Sequence, residues 1–473
     1  MREEPSDNNN IDGLRCLSLI RRYAPPSPGG GREAKETTMF SYYLQLGLRS
    51  LRRNPVLTAL MVFGIALGIA ASMTTLTVLH LMGSDPIPWK SDKLNIVQLD
   101  SWDPNNAYND DGTPPDQVTY RDAVALMQAG KADKQAAMFK MALPIQPENQ
   151  EVKPFLSLGR VTFADFFGMF EPPFKYGRPW TKAEDDAHAR VVVLTRDTNE
   201  KLFGGADSTG KTVRMDGNDY RILGVLDDWA LRFKFYDLTG GTFDNPEEYF
   251  IPFTTGIDLK QRASGNNSCW KPAADGFDAY LESECIWIEF WAQLDTPANK
   301  AQYKEFLASY VNEQKKLGRF PRPLNNRLSD VGEWMTVNKV VSGDMQVQTG
   351  LGFAFLVVCL VNTIGLLLAK FTRKAGEIGL RRALGASRRQ IFAQFLTESG
   401  VIGLSGGVIG LLLTGVGLVA VRALYANYKT VAQLDWTMVA TTIVLAIMAA
   451  VVAGFYPTWR ACQVAPAAQL KTQ

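Results

Sequence analysis

Four apolar stretches dominate what this chain can fold into. Residues 55–82, 348–369 and 436–457 contain no carboxylate, lysine or arginine, and residues 397–421 contain none after Glu398. About 20 such residues cross a bilayer as a helix, so each stretch is long enough to span with some tilt. The mean hydropathy of −0.08 conceals this segregation, because a long polar middle separates the first span from the rest. Lysine and arginine placement sets the orientation, since basic loops stay in the cytoplasm. Arg49, Arg52 and Arg53 precede the first span, and Lys370, Arg373, Lys374, Arg381, Arg382, Arg388 and Arg389 fill the short connection between the second and third. Both segments are expected inside. Four crossings then place both termini in the cytoplasm and residues 83–347 outside. The expected fold class is a four-helix membrane protein with a large α+β extracytoplasmic domain between helices 1 and 2.

Residues 205–212, GADSTGKT, match the phosphate-cradling pattern G-x-x-x-x-G-K-[ST]. That pattern binds nucleotide only where a buried strand delivers the loop to a helix N-terminus. Here the context is reversed. A strand (Val191–Leu194) leads into a short helical stretch that Gly204 and Gly205 end, and the exit alternates as a strand through Val213 and Met215 to an Asp216-Gly217 turn. Lys211 is read as a hairpin lysine, in a compartment where ATP is scarce.

Cys269 and Cys285 are the two cysteines of the outer segment. An oxidising compartment permits a disulfide between them, the alternative being two separately buried thiols. With only His80 and His188 and no H-x-x-x-H or C-x-x-C spacing, no metal centre is expected. Asp227 with Asp228, and Glu184 with Asp185 and Asp186, are read as solvated carboxylates rather than acid pairs. Trp229, Phe233, Phe235 and Tyr236 are read as core. Residues 1–38 have no apolar h-region and are expected to be a disordered tail or a misassigned start. Lys35 and Glu36 can be encoded as a ribosome-binding sequence ahead of Met39. Residues 39–54 read as an amphipathic cytoplasmic helix lying on the membrane lipid.

Residues 370–396 are too basic to span and too periodic for a loop, and they read as helical with a break at Gly385, Ala386 and Ser387. The stretch EIGLRRALGASRRQIFAQFLTESGVIGLSGGVIGLLL resembles the signature of the FtsX/MacB class (type VII) of ABC transporter permeases. The likeness runs from Met39 to the end, and includes the outer stretch FADFFGMFEPPFKYGRPWTKAEDDAHARVVVLTRDTNEKLFGGADSTGKTVRMDGNDYRILGV. It implies a permease lacking a fused ATPase, with Glu377, Arg381, Arg382, Gly385, Ala386 and Arg388 at the coupling helix. ATP and Mg would then be bound by a partner cytoplasmic ATPase dimer and not by this chain. A second permease, identical or different, completes the minimum unit, and the arrangement leaves room for a periplasmic adaptor and an outer-membrane channel. Nothing points to nucleic acid.

The resemblance also implies an outer domain (83–347) of porter-like pieces (84–154 and 276–325), a Sabre-like insert (155–275) and a stalk (326–347), followed by a cytoplasmic tail (458–473). Glu398 is read as facing a helix N-terminus rather than an arginine, and Asn362 as a helix-to-helix hydrogen bonder. Gly64 with Gly68, Gly403 with Gly407 and Gly406 with Gly410 form GxxxG pairs for close helix packing. The expected function is a non-catalytic permease conveying ATP-driven motion to the outer domain for efflux of a drug, peptide or lipid-like cargo. The alternatives are an FtsX-like regulator of an envelope enzyme and a LolC/LolE-like lipoprotein-releasing permease.

Overall fold

The computed structural model describes residues 54–147, 153–229, 233–241, 246–424 and 436–463, with Gln45. The expected tail over 1–38, all but two residues of the amphipathic segment over 39–54, and residues 464–473 lie outside that set. Two compact units are formed. One comprises Met1–Leu67, Val357–Gly410 and Ile443–Gln473, the other Gly68–Leu356 and Leu411–Thr442.

In chain order the elements begin with α1 (Pro55–Gly83), β1 (Leu94–Gln98), β2 (Val118–Thr119), α2 (Tyr120–Ala129), β3 (Lys134–Gln146) and β4 (Phe155–Thr162). Then come α3 (Asp165–Phe170), β5 (Phe174–Gly177), α4 (Lys182–Asp186), β6 (Val191–Leu194), α5 (Arg196–Phe203), β7 (Thr212–Met215), β8 (Asn218–Leu226) and β9 (Tyr249–Pro252). The chain continues with α6 (Phe253–Asp258), α7 (Phe277–Leu281), β10 (Ile286–Gln293), α8 (Pro297–Lys316), β11 (Arg327–Asp330) and α9 (Val331–Val337). It ends with α10 (Gly343–Arg373), α11 (Ala375–Ala383), α12 (Arg388–Leu424) and α13 (Trp436–Cys462). Of these, α1, α10, α12 and α13 are long and apolar enough to cross a membrane. Proline at the first position of α1 suits a helix start, because its missing N–H would have no intrahelical partner there.

The strands form one mixed sheet in the order β11-β1-β10-β3-β4-β9-β6-β8-β5, with β2 on β10 and β7 bridging β3 and β8. Its central strands are buried on both faces. Along β3, Ala137, Phe139, Met141, Leu143 and Ile145 enter one core, while Ala136 and Met138 enter the other. This is why the segment reads as a continuous apolar run rather than an alternation. Tyr303, Leu307 and Val311 of α8 pack on the first face, and Val331 and Trp334 of α9 on the second.

Two expectations need correction. Residues 326–347 are not a separate stalk, because β11 pairs with β1 and α9 packs onto the sheet before α10 begins at Gly343. No break separates the porter-like and Sabre-like pieces at 154/155, since β4 pairs with β3 from Ile145↔Phe155 to Met138↔Thr162. The segment 370–396 is helical with its break where the sequence places it, at residues 384–387 between α11 and α12, and its two ends continue the long helices α10 and α12.

Candidate functional site

The GADSTGKT segment forms no phosphate cradle. α5 ends at Gly204 in the left-handed conformation (φ 63°), and Gly205 follows at φ 79°. Ser208 is buried and donates to Asn199 Oδ1, which turns the loop back onto α5. The chain then enters β7, which pairs with β8 from Thr212↔Arg221 to Met215↔Asn218. Lys211 Nζ lies 5.3 Å from the centre of the Phe203 ring. The lysine therefore sits at the start of a hairpin with no helix N-terminus to meet an anion.

The basic connection has a more definite geometry. α11 follows α10 after the single residue Lys374, and turns its Ala375 and Ile378 inward. Arg381 donates to Gln394 Oε1 of α12 at 2.8 Å and to Glu377 at 2.6 Å, so this arginine braces α11 from within. Gly385 ends the helix at φ 99°, a conformation disfavoured for residues with a Cβ, and Ser387 with Gln390 then starts α12 through reciprocal hydrogen bonds. Arg382 and Ala386 are half-buried, while Glu377, Gly385 and Arg388 are exposed. The opposite side of α11 presents Leu380 at 61% exposure and Leu384 at 80%. Exposed leucines flanked by arginines suit a docking surface.

Beneath α11 lies an ion triad. Glu398 of α12 is 2% exposed, with Lys370 Nζ at 2.7 Å and Lys374 Nζ at 3.3 Å. Phe371 and Phe395 pack together with ring centres 4.4 Å apart and planes tilted by 51°. Glu398 thus pairs with lysines and not with a helix N-terminus, because α12 starts at Arg388 and Glu398 falls well inside it. Asn362 is exposed on α10, and its side chain makes no hydrogen bond among the described residues.

The glycines of α12 pack on two sides. A Cβ on Gly403 would meet Ala450 Cβ at 2.1 Å and one on Gly407 would meet Ala446 Cβ at 2.4 Å, both on α13. One on Gly406 would meet Ile65 Cγ2 of α1 at 2.8 Å. On α1, Gly64 stands opposite Thr363, with 3.8 Å left for a Cβ. Gly68 and Gly410 are buried, and Gly68 gives its carbonyl to Ser72 Oγ.

In the sheet unit Cys269 and Cys285 form a disulfide. Phe233, Phe235 and Tyr236 are buried, as expected for core. Asp185 departs from its reading as a solvated carboxylate. It is 2% exposed, accepts from Trp180 Nε1 at 2.8 Å and from the Ala164 amide at 2.7 Å, and burial pushes it up to about 7. The capping box of Thr181 and Glu184 starts α4, which turns the next residue inward.

Sequence reasoning missed a second ionic centre. Arg160 of β4 is fully buried, within 3.5 Å of Asp237, Glu247 and Glu289. Lys140 reaches Asp237 at 2.9 Å and Lys234 reaches Glu247 at 3.5 Å. Tyr236 donates to Glu247, and Gln117 to Glu289. Burial and the neighbouring Asp237 push Glu289 up to about 8. For Asp237, burial acts upward, but Arg160 and Lys140 overcome it and hold the carboxyl well below its ordinary range. The centre is closed to solvent. It pins the segment 233–241 and Glu247 to the sheet rather than offering a surface to a substrate. Among the described residues no group of three or more His, Cys, Asp and Glu is placed to hold a metal.

A helical membrane part, a sheet domain inserted after the first span and a short basic helix between the second and third define a membrane permease with a large extracytoplasmic domain. Residues 58–308 match the MacB-like periplasmic core domain, and residues 349–466 match the FtsX-like permease C-terminal domain. The chain belongs to this MacB-like, FtsX-like family of ABC transporter permeases. It is 25% identical over 428 residues to the macrolide export ATP-binding/permease protein MacB of Rhodopirellula baltica, covering 88% of this chain and 60% of that protein. It is 22% identical over 446 residues to the uncharacterized ABC transporter permease YvrN of Bacillus subtilis, covering 91% of this chain and 99% of that one. The periplasmic region of MacB from Actinobacillus actinomycetemcomitans aligns at 14% identity and a TM-score of 0.35, over 55% of this chain and 97% of that structure. The chain thus spans about 60% of the length of the first relative and nearly all of the second.

Proposed function

We propose that this chain is a non-catalytic permease subunit that conveys ATP-driven motion from a separate cytoplasmic ATPase dimer to its extracytoplasmic domain, driving efflux of a drug, peptide or lipid-like cargo. The observation that carries the reading is α11. One side is fixed to α12 through Arg381 and Gln394, and the other presents Leu380 and Leu384 with Arg388 nearby. A short helix that is rigid within and sticky without passes on a displacement instead of absorbing it. The lysine and arginine bias supports cytoplasmic termini and a cytoplasmic α11. The helix-loop-hairpin context of GADSTGKT supports ATP and Mg being held by the partner. Close packing of α12 on α13 through Gly403 and Gly407 supports movement of these helices as a body. A second permease chain completes the unit, with an adaptor and outer-membrane channel as further partners in a double-membraned cell.

The test is reconstitution with a candidate partner ABC ATPase from the same organism. The permease alone should hydrolyse no ATP, and the pair should hydrolyse it with a rate that depends on α11. ATP hydrolysis by the isolated chain would overturn the reading.

A further inference from the structure

Asn362 of α10 carries an amide at a depth where solvent does not serve it. It lies eight residues before Lys370, roughly 12 Å along the helix, and fourteen residues after Gln348. That depth falls well inside a hydrocarbon core about 30 Å thick. Lipid tails neither donate nor accept, so a polar side chain at this level turns to protein or to a water-filled cavity. Hydroxyls in the spans return to their own helices. Thr363 donates to the Cys359 carbonyl at 2.8 Å, Ser399 to Phe395 at 2.9 Å and Thr442 to Met438 at 2.7 Å. The Asn362 side chain makes no such bond among the described residues, and it is exposed.

The surface around it is apolar and open. Val358, Gly365 and Ala369 share its helical face at spacings of four and three, and all are exposed. A Cβ on Gly365 would meet nothing within 4 Å, so a neighbouring helix can come close to the backbone there. No charge stands between Val358 and Ala369, and Lys370 is buried against Glu398 at 2.7 Å. Apolar neighbours of this kind line a helix contact rather than a path for water.

We propose that this face of α10 packs on the same face of a second copy of this chain, and that the two Asn362 amides hydrogen-bond across a two-fold axis along the membrane normal. The inference rests on the reading that two permease chains form the working unit, and it makes the second chain an identical one. Insertion gives both copies the same orientation, so the axis runs along the normal and each residue meets its counterpart at its own depth. Asparagine suits that symmetry. Its amide carries both donors and an acceptor, so each copy offers what the other lacks, whereas a lysine or glutamate would meet its like. A single asparagine in an apolar seam also fixes the register of the two helices. A different permease chain would have to bring a polar group of its own to this level.

The test is self-association of the full chain in lipid vesicles, followed by energy transfer between donor- and acceptor-tagged copies as added lipid dilutes them. The parent protein should dimerise. Asn362→Leu should weaken the dimer about tenfold, and Asn362→Gln, which keeps donor and acceptor, should stay within about threefold of the parent. Circular dichroism should show unchanged helix content in both, because the position is exposed. With Cys16, Cys359 and Cys462 replaced by alanine, Val358→Cys should cross-link to itself on mild oxidation. Leu404→Cys on α12 should not, although Val358 and Leu404 are comparably exposed at 55% and 53%. A monomeric parent, an Asn362→Leu dimer as tight as the parent's, or equal cross-linking at both positions would overturn the proposal. Pairing only with a different permease would overturn it as well. No ATPase enters the assay, so its outcome is separate from that of the coupling reading.

Discussion

Replacing Glu398 by glutamine tests whether the ion triad fixes α10 to α12. The substitution keeps the volume and removes the carboxylate charge paired with Lys370, 1% exposed, and Lys374, 21% exposed. Breaking a buried pair from one side costs about 3–5 kcal/mol, because the remaining charge stays buried without its counterion. With an unfolding entropy of about 2.1 cal/mol/K per residue, a chain of 473 residues loses roughly 1 °C per kcal/mol, so the apparent midpoint should fall by about 3–5 °C. The assay is thermal unfolding of purified permease in nanodiscs, followed by labelling of the buried cysteine Cys359. A triple variant, Lys370→Met with Lys374→Met and Glu398→Leu, should recover most of the loss, since an apolar replacement of a buried ionic group is often neutral. If Glu398→Gln melts with the parent protein, the triad is not a structural tie. If the triple variant is as unstable as the single one, packing and not charge explains the effect.

Other consequences are equally direct. Leu384→Asp should weaken binding of the partner ATPase by more than tenfold, since a leucine buried on docking contributes about 1.5–3 kcal/mol, and should leave the permease fold unchanged because the residue is 80% exposed; co-purification measures this. Lys211→Ala should leave ATP turnover of the assembled complex unaltered, and complete loss in a turnover assay would restore a phosphate-binding role to GADSTGKT. Glu289 keeps its proton more tightly in the fold than in the unfolded chain, so its contribution is full below about 4.5 and is lost as pH rises through about 8. Glu289→Gln should therefore flatten the decline in melting temperature across that window, with the largest gain at pH 9. Replacing Cys269 and Cys285 by serine opens a link between residues 16 apart and should cost about 3 kcal/mol, read as a lower denaturant midpoint.

The spans were legible because hydropathy is a local property, and one window of about 20 residues suffices to see it. The reversed context of GADSTGKT was legible for the same reason, since the strand, the Gly204 stop and the Asp216-Gly217 turn all lie within 30 or so residues. The ionic centres were not. Lys370 and Glu398 meet only because α11 turns the chain back, and Arg160 draws its partners from residues 237, 247 and 289. One signal was nevertheless present. Lys140 within AAMFKMAL, Arg160 within LSLGRVT and Glu289 within IWIEFW are charges standing inside otherwise apolar strands, where an unpaired charge is not tolerated. The stalk was misplaced because a strand as short as β11 has too little sequence to announce its partner, and only the ladder with β1 reveals it.

That ladder has a mechanical implication. β1 follows the outer end of α1, β11 leads through α9 into α10, and their register sets Asn95 opposite Asp330. Both tethers of the outer domain therefore leave from one end of a single antiparallel pair, and a Cβ on Gly83 would come within 3.3 Å of Val341. Drawing the tethers apart loads the ladder as a zipper, one rung after another, whereas moving them in concert tilts the whole plate of strands about that corner.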